Sequence, residues 1–358
     1  MVKIALIGCT GNIGRQVAEV VRNNPREFSF SALVCGRDKE GLSALNAEFQ
    51  PRVALCAAQG ERDDLFDDCD VALIAAGGFA GLKYTLRAIE AGKKIALANK
   101  ESLVCGGELV IRAAREKGVE ILPVDSEHSA IFQALGGRKA FAKLVLTASG
   151  GPFLHFTEEQ LARVTAADAL RHPTWNMGAK ITVDSATLLN KGYEVIEARW
   201  LYGADFSQIE AVVHPESIVH SLVYFEDGAA IAQLGYPDMR LPIQYALTHP
   251  ERLPCLKQLD LASLGALHFE RLPAEKFPCF TLAVEAGKAG GTLPTVLNGA
   301  AEEAVRAFLA GRISFPRIAE TVSATLNALP REEALSYEVL EEADGRAREA
   351  AKTYLYGK

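Results

Sequence analysis

Val2-Lys-Ile-Ala-Leu-Ile-Gly-Cys-Thr-Gly-Asn-Ile-Gly14 is the stretch whose reading decides the fold. Its apolar opening reads as a strand, its three glycines as a turn, and the residues that follow as a helix with Ile13, Val17, Val20 and Val21 on one face. Strand, glycine turn and helix in that order make the first unit of a dinucleotide fold. The spacing is G-x-x-G-x-x-G instead of G-x-G-x-x-G. It still offers glycines for a tight turn and backbone N–H groups at a helix N-terminus for a pyrophosphate. Gly8, Thr10, Gly11, Asn12 and Ile13 are therefore candidate cofactor contacts.

Outward from this turn, the second strand, Phe28 to Cys35, ends in Gly36-Arg37-Asp38, where such folds discriminate the ribose 2′ group. Arg37 can pair a 2′-phosphate and points to NADP. Asp38 can bond a 2′-hydroxyl or cap the helix after it, and the reading preferred here is NADP. Apolar strands continue at 52–56, 71–76, 94–98 and 119–124, with helices at 82–91 and 103–117 between them. Such alternation predicts a parallel sheet covered on both faces. Ala76-Gly-Gly-Phe79 and Ala98-Asn-Lys-Glu-Ser102 then fall at strand C-terminal ends, the ligand edge of such a sheet, and make Asn99, Lys100 and Glu101 candidates. A lysine at a strand end is otherwise simply solvated.

The last of these strands runs into Asp125-Ser-Glu127. If strand geometry persists through them, the two carboxylates point to one side and can share a hard divalent cation. The alternative is that Asp125-Ser126 caps a helix beginning near Ser129. Farther on, Lys143 to Ala148 is a strand ending in Ser149-Gly-Gly151, a turn whose N–H groups can hold a phosphate. Trp175 and Met177 sit in the Pro/Gly-punctuated segment 171–181, either tucked into the core or part of a lid. A helix begun by Asp184 or Ser185 and running to Trp200 groups Asn190, Lys191 and Glu194 on one face, with Gly192 marking a close approach to its backbone. Segments 209–215, 218–225 and 229–234 alternate like an antiparallel sheet, with Met239 in the turn that ends it, and the chain beyond Cys279 has helical periodicity.

The expected class is α/β. It comprises a Rossmann-like parallel-sheet domain (1–125), an α+β catalytic and dimerisation domain with a mostly antiparallel sheet (126–248), a linker (249–277) and a small C-terminal helical bundle (278–358). A net charge of −7 with no basic run argues against nucleic acid and acidic membranes as partners. Seven scattered cysteines without zinc-type spacing read as reduced core thiols of a cytoplasmic protein. A chain that opens directly in a strand leaves no room for a signal or transit peptide, and no apolar run is long enough to span a membrane.

Taken together, Ala98-Asn-Lys-Glu-Ser-Leu103, Leu122-Pro-Val-Asp-Ser-Glu-His128, Ser149-Gly-Gly-Pro-Phe153, Arg171-His-Pro173, Val183-Asp-Ser-Ala-Thr187, Asn190-Lys-Gly192 and Ile196-Glu-Ala-Arg-Trp-Leu201 resemble the 1-deoxy-D-xylulose 5-phosphate reductoisomerase family, in the family order and over essentially the whole chain. The resemblance implies an NADPH enzyme of non-mevalonate isoprenoid synthesis that makes 2-C-methyl-D-erythritol 4-phosphate. The carbon skeleton is rearranged by retro-aldol cleavage and aldol rejoining before hydride transfer. It implies a Mg2+ or Mn2+ ion on Asp125, Glu127 and Glu194, and a phosphate site of Ser149, Ser185, Asn190 and Lys191. Ser126 and His172 match residues around the substrate backbone, Lys100 bridges cofactor and substrate, Trp175 and Met177 belong to a flap, and His214 matches a further active-site histidine. Gly178 and Met239 join the cofactor contacts, and a homodimer is expected. Cys9, Asn12, Ala148 and Asp38 depart from the family pattern. The first three are tolerable where backbone N–H groups do the binding, whereas Asp38 bears on the choice of NADPH over NADH. A metal-independent dehydrogenase of the aspartate-semialdehyde or homoserine type, against which the three carboxylates speak, and a non-catalytic NADP sensor, for which they would be dispensable, are the competing readings.

Overall fold

The computed structural model describes every residue of the chain except Asn176, Leu335 and Lys358. Its elements run β1 (Val2–Ile7), α1 (Asn12–Asn23), β2 (Phe28–Cys35), α2 (Lys39–Phe49), β3 (Val53–Cys56), β4 (Val71–Ile74), α3 (Ala80–Glu90), β5 (Lys94–Leu97), α4 (Glu101–Lys117), β6 (Ile121–Pro123) and α5 (Ser126–Leu135). There follow β7 (Lys143–Ala148), α6 (Glu158–Leu161), α7 (Ala166–Ala169), α8 (Ala179–Ala186), α9 (Leu189–Tyr202), β8 (Ile209–Val213), β9 (Val219–Tyr224), β10 (Ala230–Leu234) and α10 (Arg240–Thr248). The chain closes with α11 (Leu261–Leu264), β11 (Glu270–Arg271), α12 (Pro278–Ala289), α13 (Leu293–Leu309), α14 (Pro316–Ala328) and α15 (Tyr337–Tyr356).

These elements form two compact units, each discontinuous in sequence: 1–102 with 110–129 and 238–258, and 103–109 with 130–237 and 259–358. In the first unit six strands lie in the order β3-β2-β1-β4-β5-β6, every pair parallel. The order reverses beside β1, so the crevice beyond the strand ends opens there. Ile4 to Ile7 are at most 1% exposed, because a sheet covered on both faces wants apolar side chains on each. Pro123 sits on the edge strand β6, where its missing N–H costs no ladder bond.

The second unit holds a five-stranded sheet, β10-β9-β7-β8-β11, in which only β7 and β8 run parallel. Ile131, Leu135, Leu144, Leu146, Val195 and Val223 pack together and fasten α5 and α9 to this sheet. Helices α12 to α15 form the expected bundle, and α12, α13 and α14 each carry a proline in the first turn, where a missing N–H costs no intrahelical bond. No helix among the described residues is long and apolar enough to cross a membrane.

Two local expectations are corrected. Strand geometry stops at Pro123, so Asp125 and Glu127 are not alternate residues of a strand; α5 begins at Ser126 and Glu127 lies in its first turn. The helix expected from Asp184 or Ser185 to Trp200 is two helices, α8 and α9, separated where Leu188 takes a left-handed backbone (φ 56°). Leu188 and Leu189 are both buried there, and the Thr187 hydroxyl bonds back to the Val183 carbonyl, so packing and side-chain bonding override helical propensity.

Candidate active site

The glycine turn works through its backbone. The N–H groups of Gly8 and Cys9 both donate to the Val34 carbonyl (2.8 and 2.9 Å), turning the chain sharply out of β1. Gly8 has φ 94°, and a Cβ there would lie 2.5 Å from the Ala75 carbonyl carbon. At Gly14 a Cβ would meet the Gly8 carbonyl oxygen at 2.3 Å, so the helix can approach the turn only without a side chain. The N-terminus of α1 has no side-chain cap, leaving N–H groups for an anion. Gly36, Arg37 and Asp38 are exposed beyond β2, and Asp38 accepts from the Gly41 N–H at 2.9 Å, capping α2.

Beyond β4 and β5, Asn99 and Glu101 tie the strand ends together. Asn99 donates to the Gly78 carbonyl (3.1 Å) and to Glu101 (2.8 Å), while Glu101 accepts from the Gly78 N–H (3.2 Å). Lys100 is 6% exposed, and its ammonium lies 2.6 Å from Asp125 Oδ2, so it is paired instead of solvated. Asp125 Oδ1 accepts the Ser126 N–H (3.0 Å) and its carbonyl accepts the Ser129 N–H (2.8 Å). Capping and charge display are thus the work of one residue. Burial raises the Asp125 pKa, but Lys100 and the His128 ring 3.6 Å away outweigh it and hold the carboxyl well below the usual range. Ser126 donates its hydroxyl to Glu127. Oxygens of Asp125 and Glu127 lie within 4.8 Å of one another, a separation one cation can bridge, and an all-oxygen anionic donor pair suits a hard divalent ion.

In the second unit His172 is a hub. Its Nδ1 accepts the N–H groups of Thr174 (3.2 Å) and Trp175 (2.9 Å), so the neutral ring carries its proton on Nε2. That nitrogen lies 3.0 Å from Ser149 Oγ and 3.1 Å from Ser185 Oγ. Burial pushes the ring down to about 4, keeping it neutral at physiological pH. Trp175 is half-buried with its ring centroid 6.1 Å from that of His220, and Gly178 is the N-cap of α8.

On α9, Glu194 is fully buried and held by two neighbours: Asn190 donates to Oε1 (2.6 Å) and the Lys191 ammonium to Oε2. Lys191 also donates to the Thr147 carbonyl (2.5 Å) near the end of β7. The close approach expected at Gly192 is made by α12, since a Cβ would lie 2.5 Å from that of Ala283. Both His214 nitrogens are engaged: Nδ1 lies 2.7 Å from the His268 carbonyl and 3.1 Å from the Glu216 carboxylate, and Nε2 accepts from Ile218 and Val219 (3.1 Å each), with Phe269 stacked at 4.6 Å. Met239 caps α10 in the first unit. Two contributors escaped the sequence reading, His128 and the Thr147 carbonyl. Starting α5 at Ser126 would have exposed the i,i+3 relation of Asp125 and His128.

Profiles of known families extend over these segments. That of the 1-deoxy-D-xylulose 5-phosphate reductoisomerase family matches residues 4–68 and 65–107, and those of its C-terminal domains match 121–202 and 234–350. The enzyme of that name from Geobacillus sp. (strain WCH70) is 49% identical, with 98% of this chain and 99% of the relative covered. The chain belongs to the 1-deoxy-D-xylulose 5-phosphate reductoisomerase family. The family member from Listeria monocytogenes serotype 4b (strain F2365) is 48% identical over 99% of this chain and all of its own. Among solved reductoisomerases, a crystal structure in complex with NADPH, fosmidomycin and magnesium superposes with a TM-score of 0.93 at 36% identity, covering 100% of both chains. The Zymomonas mobilis reductoisomerase in complex with NADPH gives 0.89 at 37% identity, covering 99% of each. This family is one of enzymes, and its fold is the α/β arrangement described above.

Proposed function

We propose that this protein converts 1-deoxy-D-xylulose 5-phosphate to 2-C-methyl-D-erythritol 4-phosphate with NADPH and a divalent cation, Mg2+ or Mn2+, in non-mevalonate isoprenoid biosynthesis. The observation that carries the reading is the pairing of a buried lysine with the Asp125 carboxylate at the ligand edge of a dinucleotide sheet, in a chain of this family. Asp125, Glu127 and Glu194 are the proposed cation ligands, and Glu194 completes an all-carboxylate set. Bound, the cation would polarise the ketone and acidify the adjacent hydroxyl, and NADPH would supply the hydride.

The chain's own residues do the rest. Ser149, Ser185, Asn190 and Lys191 hold the phosphate, whose binding energy orients carbons some distance away. The His172 Nε2–H steadies the two serine hydroxyls while its Nδ1 anchors the start of the segment that carries Trp175 and Met177, the proposed flap. Closure of that flap keeps water from an aldehyde intermediate. Lys100 supplies a fixed positive charge for the alkoxide that develops during reduction. Ser126 steadies Glu127 and faces the substrate backbone, and His214 serves by bracing residues 214–219. Gly8, Thr10, Gly11, Asn12 and Ile13 receive the pyrophosphate, with Gly36, Arg37 and Asp38 at the adenosine end and Asn99, Lys100, Glu101, Gly178 and Met239 lining the rest of the cofactor. Edge strand β10, exposing Ile231 and Leu234, is the proposed seam of a homodimer.

NADPH oxidation is the test. The protein is expected to oxidise NADPH only when 1-deoxy-D-xylulose 5-phosphate is added, to stop in EDTA, and to recover with excess Mg2+ or Mn2+. Turnover indifferent to the chelator at a controlled metal background would remove the cation from the mechanism, and no turnover would remove the substrate assignment.

A further inference from the structure

Lys191 has two partners to choose between. Under the function proposed above, on which the present inference rests, its ammonium belongs to the phosphate site. In the structure it lies between the Glu194 carboxylate and the Thr147 carbonyl, at 3% residue exposure. There it is a satisfied buried cation, and taking it from Glu194 alone would strand a buried carboxylate, a costly step. Phosphate must therefore compete with Glu194 for Lys191. A divalent cation must compete with Lys191 for Glu194, because two like charges on one carboxylate in a poorly solvated site repel strongly.

From this double competition we infer that Lys191 is an exchangeable counter-ion, released from Glu194 by a divalent cation and passed to the substrate phosphate, so that cation and phosphate bind cooperatively. The geometry allows the exchange. Thr147 precedes Ser149 by two residues at the end of β7, a span of about 7 Å in extended chain, and a lysine head on its flexible four-carbon stem can sweep such a distance. Ser149 in turn shares the His172 ring with Ser185, so the ammonium has a prepared destination. Asn190, which holds the other Glu194 oxygen, can follow the same course. Charge balance favours the coupled event. A phosphate dianion added by itself brings two more negative charges to a site whose proposed cation ligands are already carboxylates, and a divalent cation added with it offsets them. Linkage requires the coupling to be reciprocal.

The experiment uses the full chain and inorganic phosphate as the probe, with binding measured by calorimetry in EDTA and in Mg2+. Wild type is expected to bind phosphate about 5- to 50-fold more tightly with Mg2+. Glu194→Gln, which abolishes the charge that holds Lys191, is expected to bind phosphate in EDTA as tightly as wild type does in Mg2+, and to gain nothing further from the cation. Lys191→Ala is expected to bind weakly in both buffers. The Glu194→Gln arm in EDTA contains no free cation, so complexation of phosphate in solution cannot imitate the result. Phosphate affinity in wild type indifferent to Mg2+, or an unchanged Mg2+ effect in Glu194→Gln, overturns the exchange. If substrate is nonetheless turned over in a chelator-sensitive way, the exchange alone has failed. Absence of phosphate binding in every form, together with absence of turnover, brings down the functional reading as well.

Discussion

Two regions of this molecule are suited to phosphate groups, and they are built by opposite means. The turn at Gly8 to Gly14 offers backbone N–H groups at the start of α1, and side chains matter there chiefly by being absent. The cluster around His172 offers side chains, drawn from the end of β7, a loop, α8 and α9. A pyrophosphate inside a cofactor is the same in every dinucleotide enzyme and can be met by a generic backbone device. A substrate phosphate must be recognised together with a particular carbon skeleton, which calls for side chains whose positions can be set separately.

The largest effect that would sharpen the contrast is expected at Gly14. Gly14→Val places a Cβ 2.3 Å from the Gly8 carbonyl oxygen, so NADPH affinity should fall by two orders of magnitude or more, read by quenching of intrinsic fluorescence. A variant with near-normal affinity would show that the turn is not the pyrophosphate site. Next comes a matched pair of side-chain deletions. Ser185→Ala removes a hydroxyl bonded to His172 and should lower kcat/KM about 30-fold, roughly 2 kcal/mol, in steady-state assays, whereas Asn12→Ala should shift NADPH affinity by less than about threefold. Equal losses from the two would erase the distinction between a side-chain site and a backbone site.

The smallest effect concerns protons. His172 titrates near 4 in the folded chain against an ordinary 6.5, because burial disfavours its charged form. The unfolded chain therefore takes up the proton first. The stability owed to the neutral ring is complete above 6.5 and is lost as the pH falls toward 4. Partial exposure reduces the full displacement to an expected loss of about 1–2 kcal/mol across that window. Urea unfolding of wild type and His172→Asn at several pH values measures it, and parallel slopes for the two would show that the ring is not held neutral.

What could be read from the sequence divides along the same line. The β1 strand, the glycine turn, the alternating strands and helices and the helical C-terminus follow from local rules, steric limits on φ and ψ and the period of apolar residues. The resemblance carried by Asp125, Glu127, Asn190, Lys191 and Glu194 extended that legibility to the family. The pairing of Lys100 with Asp125 was not legible, since a lysine at a strand end has no local reason to be buried. Nor was the break at Leu188, where burial of two adjacent leucines overrides helical propensity. The engagement of both His214 nitrogens was equally hidden, as was the hub at His172, whose ring meets residues 23 positions back and 13 ahead. By itself the sequence determined which segments become strands, helices and turns, because each choice is made among neighbours along the chain. Only the tertiary structure decided which charges are paired, which ring nitrogen keeps its proton and which helix must break, because those energies depend on burial and on partners that the chain brings together only when it folds.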